Sequence, residues 1–390
     1  MKKDTLIATT GRNPEFTHGS VNTPVYHTST VTFDTVKDMK RAIARRHQGV
    51  PYYGRRGNPT TFALEQAMCD LEGADGCYLY PSGLAAITGA ILSFIKAGDH
   101  ILIADGVYEP TRGLADKVLL RMGVEVSYFD PLIGAGIADL IRENTRIVFV
   151  ESPCSLTMEI IDIPAITKAA HARDVLVMMD NTWGTPLHFK PFDHGVDLSI
   201  HAATKYIVGH SDAMLGTVST RKQYCEQLFN MSYQLGYCAA PDDAYLALRG
   251  IRTLKLRLKQ HEENALTVAH WLKDRPEVAE VRHPAFETCP GHEIFKRDFT
   301  GGNGLFSMIL KDGNEAAVTA FLESLHHFKM GFSWGGYESL ILPYYGIDKN
   351  RSATGWQAPG PLIRLHIGLE DPQDLITDLA QGLAAFNDVT

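Results

Sequence analysis

The chain has 390 residues, of which 45% are hydrophobic and 21% are charged, and its formal net charge at pH 7 is −8. These values are typical of a soluble globular protein with two or three domains. The acidic balance argues against non-specific nucleic-acid binding. The most apolar stretch, residues 84–95, is too short to span a bilayer. We therefore expect neither a membrane protein nor a nucleic-acid-binding protein.

The N-terminus and the cysteines indicate the compartment. The first residues are basic, but no apolar segment follows them, so we expect no signal peptide. The six cysteines are scattered without a CxxC pair, and a chain of this length needs no disulfide framework. The sixteen histidines include no HExxH motif, so no metal site is predicted. A reducing, cytoplasmic location is the simplest interpretation.

Residues 1–57 are polar and rich in turns, with little helical or strand periodicity before Val36. We predict an extended arm that contacts a neighbouring subunit, because arms of this length rarely fold alone. The arm ends in the segment Tyr52–Thr60, whose arginines could bind a phosphate or a carboxylate. An ordinary surface turn with two solvated arginines is the alternative.

Residues 58–250 alternate between helical and strand patterns, which predicts a mostly parallel α/β sheet covered on both faces. The predicted strands are residues 77–80, 100–104, 125–129, 146–150, 175–179, a run that begins at 198, and 214–219. The predicted helices are residues 62–72, 84–96, 111–122, 135–142, 163–172 and 225–235. This region is the predicted large domain.

Residues 251–390 form the predicted second, smaller α+β domain. A long amphipathic helix over residues 242–274 leads into it, so the boundary near 250 is placed to within several residues. Beyond it, strands are predicted at residues 278–282, 304–310 and 362–367, and helices at residues 315–325 and 371–386.

Two ionisable residues follow neighbouring strand-like runs. Asp180 ends the run 175–179, and Lys205 follows the run that starts at Leu198. Residues just past the carboxyl ends of strands line the ligand crevice of an open α/β sheet. A lysine that can form a Schiff base and an acid that can hold a ring nitrogen protonated suit pyridoxal phosphate. A solvated lysine and a helix-capping aspartate are the alternatives for the two residues taken singly.

Two turns of the large domain could also serve such a cofactor. The segment Pro81–Gly83 joins a predicted strand to the N-terminus of a helix, an arrangement that binds phosphate through free backbone N–H groups. Tyr108 follows the strand 100–104 and could stack on a ring. Taken alone, the turn is better explained as an ordinary tight turn, and Tyr108 as a half-buried core tyrosine.

Arg364 lies inside the apolar strand 362–367 of the small domain. A buried charge is costly unless it is paired. A bidentate carboxylate of a ligand would pair it, and so would an internal Asp or Glu. The sequence leaves both possibilities open.

Four stretches in combination resemble the transsulfuration (Cys/Met metabolism) family of pyridoxal-phosphate enzymes along nearly the whole chain. They are Tyr53-Gly-Arg-Arg-Gly57, Asp180-Asn-Thr182, Ala203-Thr-Lys-Tyr-Ile-Val-Gly-His-Ser-Asp212 and Arg364-Leu-His-Ile-Gly-Leu-Glu370. The resemblance implies the fold of type I pyridoxal-phosphate transferases, which is also called aspartate-aminotransferase-like.

The resemblance also implies a role for each site residue. Lys205 would be the catalytic lysine joined to the cofactor, Asp180 would pair with the ring nitrogen, and Tyr108 would stack on the ring. The phosphate would be held by Gly83, Leu84 and Thr204, and by Tyr53 and Arg55 of a neighbouring subunit. The substrate carboxylate would be held by Ser333, Trp334 and Arg364, with Tyr53 nearby. Shared sites imply a homotetramer built as a dimer of dimers.

Within the family, Tyr108-Glu-Pro110 and Phe332–Leu340 resemble the branch that eliminates sulfur from the β-carbon. This implies cleavage of L-cystathionine to homocysteine, pyruvate and ammonia, with cystine and other cysteine S-conjugates as further substrates. A γ-lyase, a γ-synthase or a pyridoxal-phosphate-binding regulator would share the cofactor residues. Ala202 and Ser155 depart from a serine and an asparagine that many members have, so neither receives a role.

Other protein classes find weaker support in the sequence. Gly331-Phe-Ser333-Trp-Gly335 matches the GxSxG motif of serine hydrolases, and Asp348 and His366 follow in the right order. No clean strand–turn–helix pattern surrounds Ser333, however, and the motif leaves Asp180 and Lys205 unexplained. Gly134-Ala-Gly136 lacks the third glycine of a dinucleotide-binding loop.

Overall fold

A computed structural model of the chain describes residues 1–389, without the side chain of Asn350. Its strands are Gly76–Tyr80 (β1), His100–Ala104 (β2), Glu125–Phe129 (β3), Thr145–Glu151 (β4), Leu176–Asp180 (β5), Leu198–His201 (β6), Gly216–Thr220 (β7), Val278–Arg282 (β8), Leu305–Leu310 (β9), Lys329–Met330 (β10), Leu340–Tyr344 (β11) and Leu362–His366 (β12). Its α-helices are Lys3–Thr9 (α1), Pro14–Thr17 (α2), Val36–Ala44 (α3), Pro59–Glu72 (α4), Gly83–Phe94 (α5), Glu109–Leu114 (α6), Ile163–His171 (α7), Thr185–His188 (α8), Lys222–Gln234 (α9), Pro241–Lys273 (α10), His292–Asp298 (α11), Glu315–Glu323 (α12) and Pro372–Asn387 (α13).

The first seven strands form one sheet in the order β1-β7-β6-β5-β4-β2-β3. Strands β2 to β6 pair in parallel, whereas β7 lies antiparallel between β6 and β1. All five residues of β2 are buried, as expected for a strand that is covered on both faces of its sheet. The predicted α/β class with a mostly parallel sheet is confirmed.

The last five strands form a second sheet in the order β10-β11-β12-β9-β8. Its pairs are antiparallel except for β10 with β11. Strand β12 is fully buried at the centre, which places Arg364 in the interior of this part of the protein. The core of this part contains Phe306 and Phe321, and α12 packs against α13 over it.

Helix α10 is 33 residues long and belongs to both parts of the protein. Leu254 and Leu258 lie in the core shared with α4, whereas Ala265 and Val268 lie in the core of the second sheet. The domain boundary predicted near residue 250 therefore falls inside a continuous helix, and the domain division stays a prediction. No helix within residues 1–389 is both long enough and apolar enough to cross a bilayer.

The N-terminal segment differs from the extended arm that the sequence suggested. It contains α1, α2 and α3, and α1 is held against α10 by Arg252, whose guanidinium donates to the carbonyls of Ile7 and Thr10 at 2.7 and 2.8 Å. Helices of four and seven residues are too short to show a periodic pattern, which explains why α1 and α2 were missed. The contact of this segment with another subunit stays a prediction.

Other elements also differ from the sequence prediction. The helix predicted at residues 135–142 is a 3₁₀ helix, Gly134–Leu140, and the one at residues 111–122 continues from α6 through a π turn, Ala115–Leu119. Strand β11 was not predicted, and it contains Pro343, a residue that cannot donate to a ladder. The short helix α11 and strand β10 were also missed.

Arg56, one of the two arginines at the end of the arm, is buried and forms an ion pair with Glu65 of α4 at 2.9 Å. The alternative of two solvated arginines is therefore wrong for this residue. We expect Glu65→Leu to destabilise the protein by about 3–5 kcal/mol, because it leaves a buried guanidinium unpaired. Urea unfolding measures this cost. The double variant Arg56→Met/Glu65→Leu should be clearly more stable than Glu65→Leu, and an equal loss in both would contradict the explanation.

Candidate active site

The site begins at the carboxyl ends of β5 and β6, which pair in parallel. Asp180 is the last residue of β5, and its Oδ1 accepts a hydrogen bond from the Thr182 N–H at 3.0 Å and another from the Thr182 hydroxyl. The same hydroxyl accepts from the Ala202 N–H at 2.9 Å, which ties the ends of the two strands together. Burial raises the pKa of Asp180, and its bonds from Thr182 oppose that rise. Within residues 1–389 no ion pair includes Asp180.

Lys205 lies four residues beyond β6, and its side chain points towards the second sheet. Its Nζ donates to the Ser333 hydroxyl at 2.6 Å and lies 5.3 Å from the centroid of the Trp334 ring. Burial lowers the pKa of Lys205 to about 8, and the positive charge of Arg364 contributes to the same shift. A lysine in this state supplies an unprotonated amine near neutral pH, as a nucleophile or a general base requires.

The turn that carries Ser333 and Trp334 is fixed by backbone contacts. Ser333 has a φ of 86°, in the left-handed region that side chains other than glycine rarely adopt. A Cβ on Gly335 would lie 2.9 Å from the backbone of Lys205, so only glycine fits there. The Gly335 N–H donates to Nε2 of His366 at 3.0 Å. The turn therefore packs directly against the backbone of Lys205.

Arg364 approaches the same turn from β12. Its Nη2 donates to the Ser333 carbonyl at 3.2 Å, and its guanidinium lies 5.5 Å from the centroid of the Tyr344 ring. Burial lowers the pKa of Arg364. None of the ion pairs within residues 1–389 includes this arginine. Of the two possibilities that the sequence left open, the internal pair is not formed there, and the guanidinium is free for a carboxylate.

Tyr108 lies at the opposite side of the crevice, after β2, and its side chain is half exposed. Its N–H donates to Oε2 of Glu151 at 2.6 Å. Glu151 is the last residue of β4 and was not predicted as a site residue. Its position was visible in the sequence, since this carboxylate comes directly after the predicted strand 146–150.

The predicted phosphate-binding residues lie in two turns. Gly83 is the first residue of α5, whose N-cap Ser82 accepts from Ala85 at 3.1 Å. A Cβ on Gly83 would lie 2.6 Å from that of Ala202, which places the start of α5 close to the lysine loop. Within residues 1–389 no acceptor takes the N–H groups of Gly83 and Leu84. The Thr204 hydroxyl donates to the Leu215 carbonyl and accepts from the Leu215 N–H. The role of Thr204 in binding a phosphate therefore stays a prediction.

Tyr53 and Arg55 lie apart from these residues in the subunit. Arg55 donates to the Tyr233 carbonyl at 2.9 Å and lies 4.1 Å above the Tyr233 ring, and the Tyr53 side chain is 41% exposed. No contact within residues 1–389 joins either side chain to Lys205, Asp180 or Arg364. Their role in the site of a neighbouring subunit stays a prediction.

The triad of a serine hydrolase is not assembled. Nε2 of His366 accepts from Gly335, its Nδ1 contacts the Glu338 carbonyl at 3.1 Å, and Ser333 receives its hydrogen bond from Lys205. Burial lowers the pKa of His366 well below its ordinary value, which keeps the imidazole neutral. Gly134 and Gly136 belong to a 3₁₀ helix rather than to a dinucleotide-binding turn.

A lysine and an acid at the carboxyl edge of a mostly parallel sheet, opposite the start of a helix, define a type I pyridoxal-phosphate enzyme. A model of the Cys/Met metabolism PLP-dependent enzymes matches residues 4–384. The chain belongs to this family.

Several relatives match this chain over almost its whole length. The cystathionine beta-lyase MetC of Escherichia coli is 48% identical over 389 residues, which is 98% of each chain. The cystathionine beta-lyase of Haemophilus influenzae is 47% identical over 97% of each chain. The crystal structure of metB from Corynebacterium glutamicum has a TM-score of 0.90 at 32% identity, and it covers 100% of this chain and 99% of that one.

The residues at the crevice fit the family's cofactor. Asp180 is a buried acid without a cationic side-chain partner among the described residues, as a protonated ring nitrogen requires. Lys205 is a buried amine whose pKa is lowered to about 8. The start of α5 offers free N–H groups and the positive end of a helix dipole to a phosphate.

Proposed function

We propose that this enzyme cleaves the bond between the β-carbon and sulfur of L-cystathionine and that, with uptake of a water molecule, the products are homocysteine, pyruvate and ammonia. The observation that carries the proposal is the position of Ser333 between Lys205 and Arg364. A substrate carboxylate bound by Arg364 would lie beside the same turn that holds the lysine amine. The relatives named cystathionine beta-lyase support this choice within the family.

Each residue of the site has its own role in the proposed reaction. Arg364 binds the substrate carboxylate through two parallel N–H bonds, with Ser333 and Trp334 beside it. Lys205 removes the proton from the α-carbon and later donates a proton to the departing sulfur. Pyridoxal phosphate supplies, when bound, the electron sink for the charge left on the α-carbon. Asp180 would hold the ring nitrogen in its protonated form, and Tyr108 would stack on the ring.

The proposal includes an assembly with shared sites. Tyr53 and Arg55 would complete the phosphate site of a neighbouring subunit, and a homotetramer built from two such dimers is the proposed state. Exposed apolar side chains around the crevice support the presence of a neighbour, since Phe332 is 86% exposed and Met214 is 59% exposed. A cytoplasmic location is also part of the proposal, in keeping with six cysteines that are all free.

The test supplies the purified holoenzyme with L-cystathionine and identifies the keto acid. Pyruvate together with homocysteine is the expected result. Formation of 2-oxobutyrate with cysteine would instead make the protein a γ-lyase. Absence of both products, from protein that shows the absorbance of bound cofactor, would overturn the lyase proposal in favour of a synthase or a regulator.

The lowered pKa of Lys205 predicts how cofactor capture depends on pH. Only the unprotonated amine attacks an aldehyde, so the rate of reconstitution of apoenzyme with pyridoxal phosphate should rise with a midpoint near pH 8. Stopped-flow absorbance measures this rate. In Arg364→Met the midpoint should move to higher pH, because a neighbouring positive charge that disfavours the protonated lysine is lost. An unchanged midpoint would contradict this role of Arg364.

A further inference from the structure

Two carboxyl groups lie side by side at the crevice. Strands β4 and β5 are parallel neighbours, and their register places Glu151 directly opposite Asp180. Opposed residues of neighbouring strands point to the same face of a sheet. The function proposed above uses Asp180 and leaves Glu151 without a role.

Glu151 is connected to the backbone of the Tyr108 loop. The Tyr108 N–H donates to its Oε2 at 2.6 Å, and the turn after β4 also holds this loop through the Ser155 N–H, which donates to the Gly106 carbonyl at 2.8 Å. Tyr108 is the N-cap of α6, but its own side chain caps no N–H of that helix. The position of the Tyr108 ring therefore depends on contacts that Glu151 and its turn supply.

The surroundings of the two acids favour a proton on Glu151 and a negative charge on Asp180. Asp180 accepts two hydrogen bonds from Thr182, and these bonds oppose the rise in its pKa that burial causes. Glu151 has only the Tyr108 N–H, no ion pair within residues 1–389, and the negative charge of Asp180 beside it. Burial and Asp180 both raise the pKa of Glu151 well above its ordinary range. A neutral Glu151 beside an ionised Asp180 is the consistent arrangement.

We propose that Glu151 is a positioning residue whose uncharged carboxyl anchors the backbone of Tyr108 and leaves Asp180 as the single negative charge at the ends of β4 and β5. The proposal rests on the cofactor roles of Tyr108 and Asp180 given under the proposed function, but it does not depend on which sulfur substrate is cleaved. It places Glu151 outside direct contact with the substrate.

Three variants separate the neutral anchor from a charged one. Glu151→Gln keeps an uncharged oxygen acceptor of the same length, Glu151→Leu keeps the size without an acceptor, and Glu143→Gln changes an exposed glutamate just before the other end of β4. For each, the affinity of the apoenzyme for pyridoxal phosphate is measured by fluorescence quenching. The circular dichroism of the bound cofactor band reports the orientation of the ring, and turnover is measured alongside.

Glu151→Gln and Glu143→Gln should retain cofactor affinity within about twofold and keep the dichroic band. Glu151→Leu should lose about tenfold in affinity, with a changed band, because the Tyr108 loop loses its anchor. Equal impairment of Glu151→Gln and Glu151→Leu would overturn the uncharged state. A wild-type band and affinity in Glu151→Leu would overturn the anchoring role.

Thermal unfolding and a replacement variant separate these outcomes from a failure to fold. The thermal unfolding of each apoenzyme shows whether a variant folds, and Glu151→Val replaces Glu151→Leu if the latter does not. Because cofactor binding is read without substrate, a holoenzyme that releases no pyruvate from cystathionine would defeat the proposed function while leaving this inference testable.

Discussion

Lys205→Ala is expected to lower kcat by about 10⁴-fold, because the variant loses the amine that lies 2.6 Å from the Ser333 hydroxyl and beside Arg364. Lys205→Arg should be as inactive, because a guanidinium keeps its positive charge at the buried position but cannot release its proton to act as a base. Pyruvate release from cystathionine is the measurement. Retained activity in Lys205→Arg would show that charge, not proton transfer, is what this position supplies.

The control for this experiment is Lys168→Ala, which removes an exposed lysine from α7 and should leave turnover unchanged. The cofactor spectrum of Lys205→Ala distinguishes loss of chemistry from loss of cofactor. Substantial elimination by that variant, at a tenth of the normal rate or more, would remove Lys205 from its catalytic role.

Arg364→Met is expected to lower kcat/KM for cystathionine by about 10²–10³-fold, mainly through KM. The guanidinium is buried and has no acidic partner among residues 1–389, so its charge is available to the substrate carboxylate. Truncating one partner of a buried, hydrogen-bonded charge pair costs about 2–5 kcal/mol, or about 30- to 5,000-fold, and the expected loss lies in the middle of this span. Steady-state kinetics provide the measurement.

Arg364→Lys refines the same prediction. Lysine keeps a positive charge but lacks the planar fork that binds both carboxylate oxygens, so its loss should be smaller than that of Arg364→Met but still clear. Arg142→Lys, a half-exposed arginine paired with Glu125, is the matched control. If Arg364→Met binds substrate with the normal KM, the carboxylate is held elsewhere.

The sequence predicted the sheet because its strands are apolar runs separated by helices. It also placed Lys205 and Asp180 at one edge, since each lies at or shortly after the end of such a run. It could not determine whether Arg364 has an internal partner, because that depends on which acids the fold brings near β12. The contact between Lys205 and Ser333 joins residues 128 positions apart, in loops that follow strands of two different sheets, and is likewise a product of tertiary structure.

Glu151 was not predicted as a site residue for a different reason. Its position after a strand was visible, but its importance comes from the register of β4 against β5 and from the Tyr108 N–H. Neither strand register nor a bond to a loop backbone leaves a pattern in a single sequence. Strand β11 contains Pro343, which is tolerated because β10 pairs only with Leu340 and Ile341 and leaves that side of residue 343 unpaired within the described part of the chain.

Helix α10 limits how this protein can be divided into fragments. A cut at residue 250 would remove Ile251, Leu254 and Leu258 from the core that holds α4, and burial of each such side chain contributes about 1.5–3 kcal/mol. The remaining N-terminal fragment would expose a wide apolar groove and aggregate. A split-protein or domain-exchange design should therefore place its junction between Leu258 and Ala265, where the helix passes from one core to the other.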